Sequence, residues 1–115
     1  MPIIEVTEPR RYHKPIVLPE RLDLLTGPTT GVVVLPRRLQ WSGNARYDLD
    51  SPGRMIALYR TVIHEAMEPE DLYEYLNARV LKRLWTGMYL GPYVRPAWEH
   101  RFPELAELSR IAAAA

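Results

Sequence analysis

The sequence predicts an α+β domain, mainly α, with four to five short helices packed with a small two- or three-stranded β element near the N-terminus. Three observations predict it. Gly31-Val32-Val33-Val34-Leu35 is rich in β-branched residues and reads as a strand. Met55, Ile56, Tyr59, Val62, Ile63 and Ala66 fall on one stripe of a 3.6-residue period, the mark of an amphipathic helix. Beyond Glu68, Pro and Gly divide the chain into short segments, each with an apolar face of its own. At 115 residues, 47% hydrophobic and 25% charged, the chain suits one globular domain.

Residues 1–19 read as an extended Pro-rich arm. Pro2, Pro9, Pro15 and Pro19 forbid a helix there. Ile3–Val6 and Ile16–Leu18 each suit a short edge strand, and Arg10, Arg11, His13 and Lys14 form a basic cluster between them. The globular domain spans residues 20–112. It opens with a short helix or turn over residues 19–25, with Leu22 and Leu25 facing inward, and Thr26-Gly27-Pro28 ends it. The continuous apolar run Gly31–Leu35 predicts a strand buried on both faces, stopped by Pro36.

Asp50-Ser51-Pro52 is a helix start, with a capping side chain ahead of Pro at the first helical position. The stripe that follows predicts a helix over 52–67. Glu68-Pro69-Glu70-Asp71 starts a second, because acids in a first turn oppose the helix dipole. Asn77 either ends that helix or caps the next one, Ala78–Trp85, whose inner residues are Val80, Leu81, Leu84 and Trp85. Gly91-Pro92 opens a helix with Val94, Ala97 and Trp98 inward. Leu105, Leu108 and Ile111 mark a terminal helix, and residues 113–115 form a frayed tail.

Composition narrows the chemistry. There is no cysteine, which excludes disulfides, Cys-based zinc sites and thiol catalysis. No apolar run is long enough to span a membrane, and no apolar stretch follows a basic N-terminal start, so a cytoplasmic location is expected. His64-Glu65 lacks the second His at i+4 that a metalloprotease helix needs; Glu68 stands there instead. Ser42-Gly43 is not part of G-x-S-x-G, and neither a phosphate-binding loop nor G-x-G-x-x-G is present. No catalytic residue, metal site or cofactor is expected.

Two cationic groups remain. Arg79, Lys82 and Arg83 lie at i, i+3, i+4 on the exposed face of the Ala78–Trp85 helix. Residues 70–85 have the spacing of a helix-turn-helix, so this face suits DNA phosphates. Arg37, Arg38, Trp41, Arg46 and Tyr47 form a cationic-aromatic loop after the strand. A loop Trp either plugs the core or anchors an interface, and the arginines suit an acidic protein partner, which this loop and the arm of residues 1–19 are expected to engage together.

The run L-T-G-P-T-T-G-V-V-V-L-P-R-R-L-Q-W-S-G, followed by Y-D-L-D-S-P and Y-R-T-V-I-H-E-A, is similar to a group of small bacterial proteins of unassigned role. E-D-L-Y-E-Y-L-N, L-K-R-L-W and V-R-P-A-W-E-H-R-F-P-E-L continue the pattern, which covers about residues 22–108. Such proteins resemble the small partners encoded beside AbiEii-type nucleotidyltransferase toxins. The resemblance implies an antitoxin-like interaction module with a toxin as its protein partner, and it carries no catalytic residue. DNA binding is the alternative function, and a homodimer through an exposed strand edge is a further expectation.

Overall fold

The computed structural model describes residues 15–115. The Ile3–Val6 strand and the basic cluster at residues 10–14 lie outside the described residues. The domain is α+β and mainly α. A 3-10 turn at Leu22–Leu24 precedes strands β1 (Val32–Val34) and β2 (Arg46–Asp48). Helices α1 (Pro52–Glu65), α2 (Pro69–Tyr75), α3 (Ala78–Leu84), α4 (Val94–Arg101) and α5 (Pro103–Ala114) follow. Ile16–Leu18 forms no strand; Val17 and Leu18 are instead side chains laid against the core.

β1 and β2 are antiparallel, with Val33 opposite Tyr47. The sequence predicts burial of both faces of β1; the structure buries one. Val33 and Tyr47 face inward, while Val32 and Val34 are exposed, Val34 by 61%. Helices cover one side of this two-stranded sheet and leave the other to solvent, where Arg46 and Asp48 stand opposite the two valines. β2 is a strand where a loop is expected. Its signal is the alternation Ala45-Arg46-Tyr47-Asp48-Leu49, apolar residues inward and charged residues outward.

α1 begins where Pro52 predicts. Ser51 occupies the N-cap position by backbone geometry alone, without a side-chain cap bond. The predicted stripe forms the buried face, with Ile56 only partly buried and Leu58 joining it. Met55, Tyr59, Val62 and Ile63 pack into a core completed by Leu72, Leu76, Leu81 and Leu105. Each fully buried aliphatic side chain of this kind stabilises the fold by roughly 1.5–3 kcal/mol, so this face rather than any exposed ion pair holds α1 in place. Trp85 and Trp98 are buried with ring centroids 6.0 Å apart, and Phe102 lies 6.1 Å from Trp98. The Trp85 indole N–H donates to Glu99 Oε2 at 2.9 Å, and the Ser109 hydroxyl donates to the same oxygen.

α5 extends to Ala114, so the tail predicted at 113–115 is helical as far as that residue. Along its stripe Leu105 is buried, Leu108 half-buried and Ile111 exposed. The last turn of α5 is exposed throughout, and Ile111 loses the inward role its spacing predicts.

The α2–α3 junction is pinned by the chain that precedes β1. Gly27 N–H donates to Leu76 O at 2.7 Å, Ala78 N–H to Leu25 O at 2.9 Å and Thr26 N–H to Tyr73 O at 3.3 Å. Asn77 caps α3, its Oδ1 accepting from Arg79 and Val80 N–H. The Asn77 N–H donates to the buried Tyr59 hydroxyl at 2.8 Å. Burial pushes the Tyr59 phenol up to about 12. An unfolded phenol ionises near pH 10, so this contribution is complete below pH 10 and is lost as pH rises towards 12. Tyr59→Phe removes one hydrogen bond and is expected to cost about 1–2 kcal/mol at neutral pH. It also removes about 2–3 kcal/mol of the alkaline loss. Urea midpoints measured from neutral pH upward check this; parallel pH profiles for the two proteins would refute the assignment.

Candidate protein-docking surface

The loop between β1 and β2 is tied down on both sides of Trp41. Leu39 and Gln40 N–H both donate to Pro36 O, and Leu35 N–H donates to Ala45 O. Leu39 is the core plug of this loop, 1% exposed. The Gln40 side chain donates to the Tyr47 hydroxyl at 2.9 Å and accepts from Ser42 N–H and Oγ. Gly43 takes φ +92°, a left-handed conformation that favours glycine. On this secured backbone the Trp41 side chain points outward, 78% exposed.

The five residues predicted as a docking set are divided by the structure. Arg37 and Arg46 are exposed, as is Trp41. Tyr47 is not a surface residue: it is 2% exposed because β2 turns it inward opposite Val33. Its ring is covered by the Arg54 guanidinium, 4.4 Å from the centroid, which also donates to Arg46 O at 2.7 Å. Arg38 is already engaged, donating through both terminal nitrogens to the Asp71 carboxylate at 3.0 and 2.6 Å. Asp71 is 2% exposed and also accepts from Met67 and Glu68 N–H at 2.9 and 3.2 Å. The Arg38 guanidinium, followed by these two N–H groups, holds the Asp71 carboxyl below its ordinary range against the opposing effect of burial. Arg38 therefore fastens the loop to the start of α2.

What adjoins Trp41 is the outer face of α1. Leu39, Gln40, Trp41, Ala57, Arg60, Thr61, His64 and Glu65 line an open groove of about 270 Å³. Arg60 Nε donates to Tyr89 O at 2.8 Å, and the guanidinium lies 5.7 Å from the centroid of the exposed Tyr89 ring. His64 Nε2 lies 3.0 Å from Gly91 N–H and Nδ1 lies 2.7 Å from Arg60 O. A backbone N–H can only donate and a carbonyl can only accept, so these contacts fit the tautomer with its proton on Nδ1. Arg60 and Tyr89 are absent from the residues the sequence singles out, and His64 enters there only as part of an incomplete metal motif. Arg60 carries no signal beyond lying off the apolar stripe, and only the fold brings Tyr89 to it.

Arg79, Lys82 and Arg83 are exposed on α3. Their surroundings differ from a plain basic face. Arg83 Nη2 reaches Met55 Sδ at 3.6 Å, and Lys82 lines a mixed-charge groove with Glu20, Asp23 and Glu104 and with Arg21 and Arg101. Among the described residues no group of three or more His, Asp or Glu is placed to hold a metal ion, and no helix is long and apolar enough to cross a membrane. No protein-family model matches the chain, and neither a curated protein nor a solved structure does.

Proposed function

We propose that this protein is a non-enzymatic interaction module that docks a protein partner through the surface centred on Trp41. One observation carries the reading: a large aromatic side chain stands 78% exposed on a loop whose backbone is anchored on both sides. Exposed Trp is costly to leave in water, and Trp is the residue type most enriched among interface hot spots. The resemblance to small partners of nucleotidyltransferase toxins gives the reading its specific form, antitoxin-like binding of a toxin encoded nearby. Co-expression with the neighbouring gene product and a pull-down test it. Trp41→Ala is expected to weaken the complex by about 2 kcal/mol or more, roughly thirtyfold. The variant's Tm should be unchanged, since the ring contributes little to the core. A complex of undiminished affinity would sink the proposal.

DNA binding through α3 is the second reading, supported by the exposure of Arg79, Lys82 and Arg83. It requires binding that weakens steeply with salt as counterions are released; a flat gel shift at low salt removes it.

A further inference from the structure

We infer that the groove beside Trp41 is a carboxylate-binding site: Arg60 takes one Asp or Glu side chain from an acidic-apolar segment of the partner, whose neighbouring apolar residue packs on Trp41. The inference rests on the docking reading above and names the chemistry of the surface's ligand.

Arg60 carries the argument. Among the described residues it gives the fold only its Nε, through the bond to Tyr89 O, which orients the guanidinium. The Tyr89 ring supports it from one side. This arrangement leaves the fork of terminal nitrogens for an incoming planar acceptor. Arg60 and Trp41 line the same groove, which places the cation next to a broad apolar surface.

The charge count of the groove selects the ligand. Both His64 ring nitrogens are engaged with the backbone, at Arg60 O and Gly91 N–H, so the ring offers the ligand no hydrogen bond of its own. Among the described residues Arg60 is the one Arg or Lys that lines the groove. One guanidinium therefore matches a single carboxylate better than a phosphate carrying nearly two charges or a polyphosphate backbone. The exposed Arg37, on the loop that carries Trp41, adds a positive field that favours approach of an acidic segment.

A random-peptide library displayed on phage and selected on the intact protein provides the probe. The peptides retained are expected to carry Asp or Glu beside an aromatic or large aliphatic residue. Replacing that acid by its amide, or Arg60→Gln in the protein, should each weaken binding about tenfold or more. The two changes together should cost little more than either alone. Arg60→Lys should recover only part of the loss, because it restores the charge without the fork. Circular dichroism and the Tm report that the variants fold. In protein NMR, the Arg60 Nε–H and Trp41 indole N–H signals should shift on peptide addition.

Retained peptides that lack an acid, undiminished binding by Arg60→Gln, tighter binding to DNA oligonucleotides, or no retained peptide at all would each overturn the inference. If Trp41→Ala abolishes binding while Arg60→Gln does not, the docking surface stands and the carboxylate assignment falls. If the neighbouring-gene complex is indifferent to Trp41, the docking reading itself falls.

Discussion

Gly27→Ala is expected to destabilise the protein by about 3 kcal/mol, at the upper end of what overpacking costs. A Cβ at this position would stand 2.6 Å from Tyr75 C, 2.8 Å from Glu74 O and 2.8 Å from Leu76 N. All three are backbone atoms at the end of α2 and cannot rotate away as a flexible side chain would. Moving them strains the 2.7 Å bond from Gly27 N–H to Leu76 O. For a domain whose net stability is about 5–15 kcal/mol, that is a large fraction, equivalent to a fall in Tm of more than about 10 °C. Gly53→Ala is the control. It sits in the first turn of α1, where an added Cβ meets nothing, so a stabilisation of up to about 1 kcal/mol is expected. Thermal melts in which the two substitutions behave alike would refute the close-approach account of Gly27.

Asp71→Ala carries the second large effect, about 2–4 kcal/mol, because it removes an acceptor shared by three donors. Met67 N–H and Glu68 N–H lose the group that turns the chain from α1 into α2. Arg38 loses its anchor, and with it the β1–β2 loop loses its tie to α2. Arg38→Ala should do less damage, since Arg38 is about half exposed, 46% by side chain, and the carboxylate keeps both N–H donors. The effect depends on pH in a stated direction. The Asp71 carboxyl is lowered in the folded state, so its contribution is complete above the ordinary carboxylate range, near pH 4. It is lost as pH falls through the lowered value. Chemical denaturation between neutral and acid pH should show wild-type stability falling faster than that of Asp71→Ala. Equal acid slopes would mean that the carboxylate is not held as its four hydrogen bonds indicate.

Much of this fold is legible in local sequence because helices are local. The Met55–Ala66 stripe, Pro52, Pro69 and the Asn77 cap each act within a turn or two of themselves. The β element is harder to read. Gly31–Leu35 looks doubly buried because its composition reports strand preference and not how many layers will cover it. β2 is hidden by its charges, which are the solvent face of a half-covered strand. The docking set is legible only in part. Trp41 and Arg37 are exposed as an interface requires, but Tyr47 belongs to the inward register of β2 and Arg38 to a buried acid thirty-three positions away. Arg60 and Tyr89 meet only through tertiary packing, a relation that no window of sequence contains.

The backbone clip between residues 25–27 and the α2–α3 junction also bears on the order in which the molecule comes together. Synthesis runs from the N-terminus, so the Gly27 N–H emerges from the ribosome well before the Leu76 carbonyl that receives it. Until α2 and Asn77 have been made, the first segment of the domain cannot complete its own backbone bonds. The bonds that residues 25–27 make to Tyr73, Leu76 and Ala78 can form only once those residues exist. The clip makes completion of the N-terminal part conditional on the middle of the chain, so the two become stable together rather than one after the other.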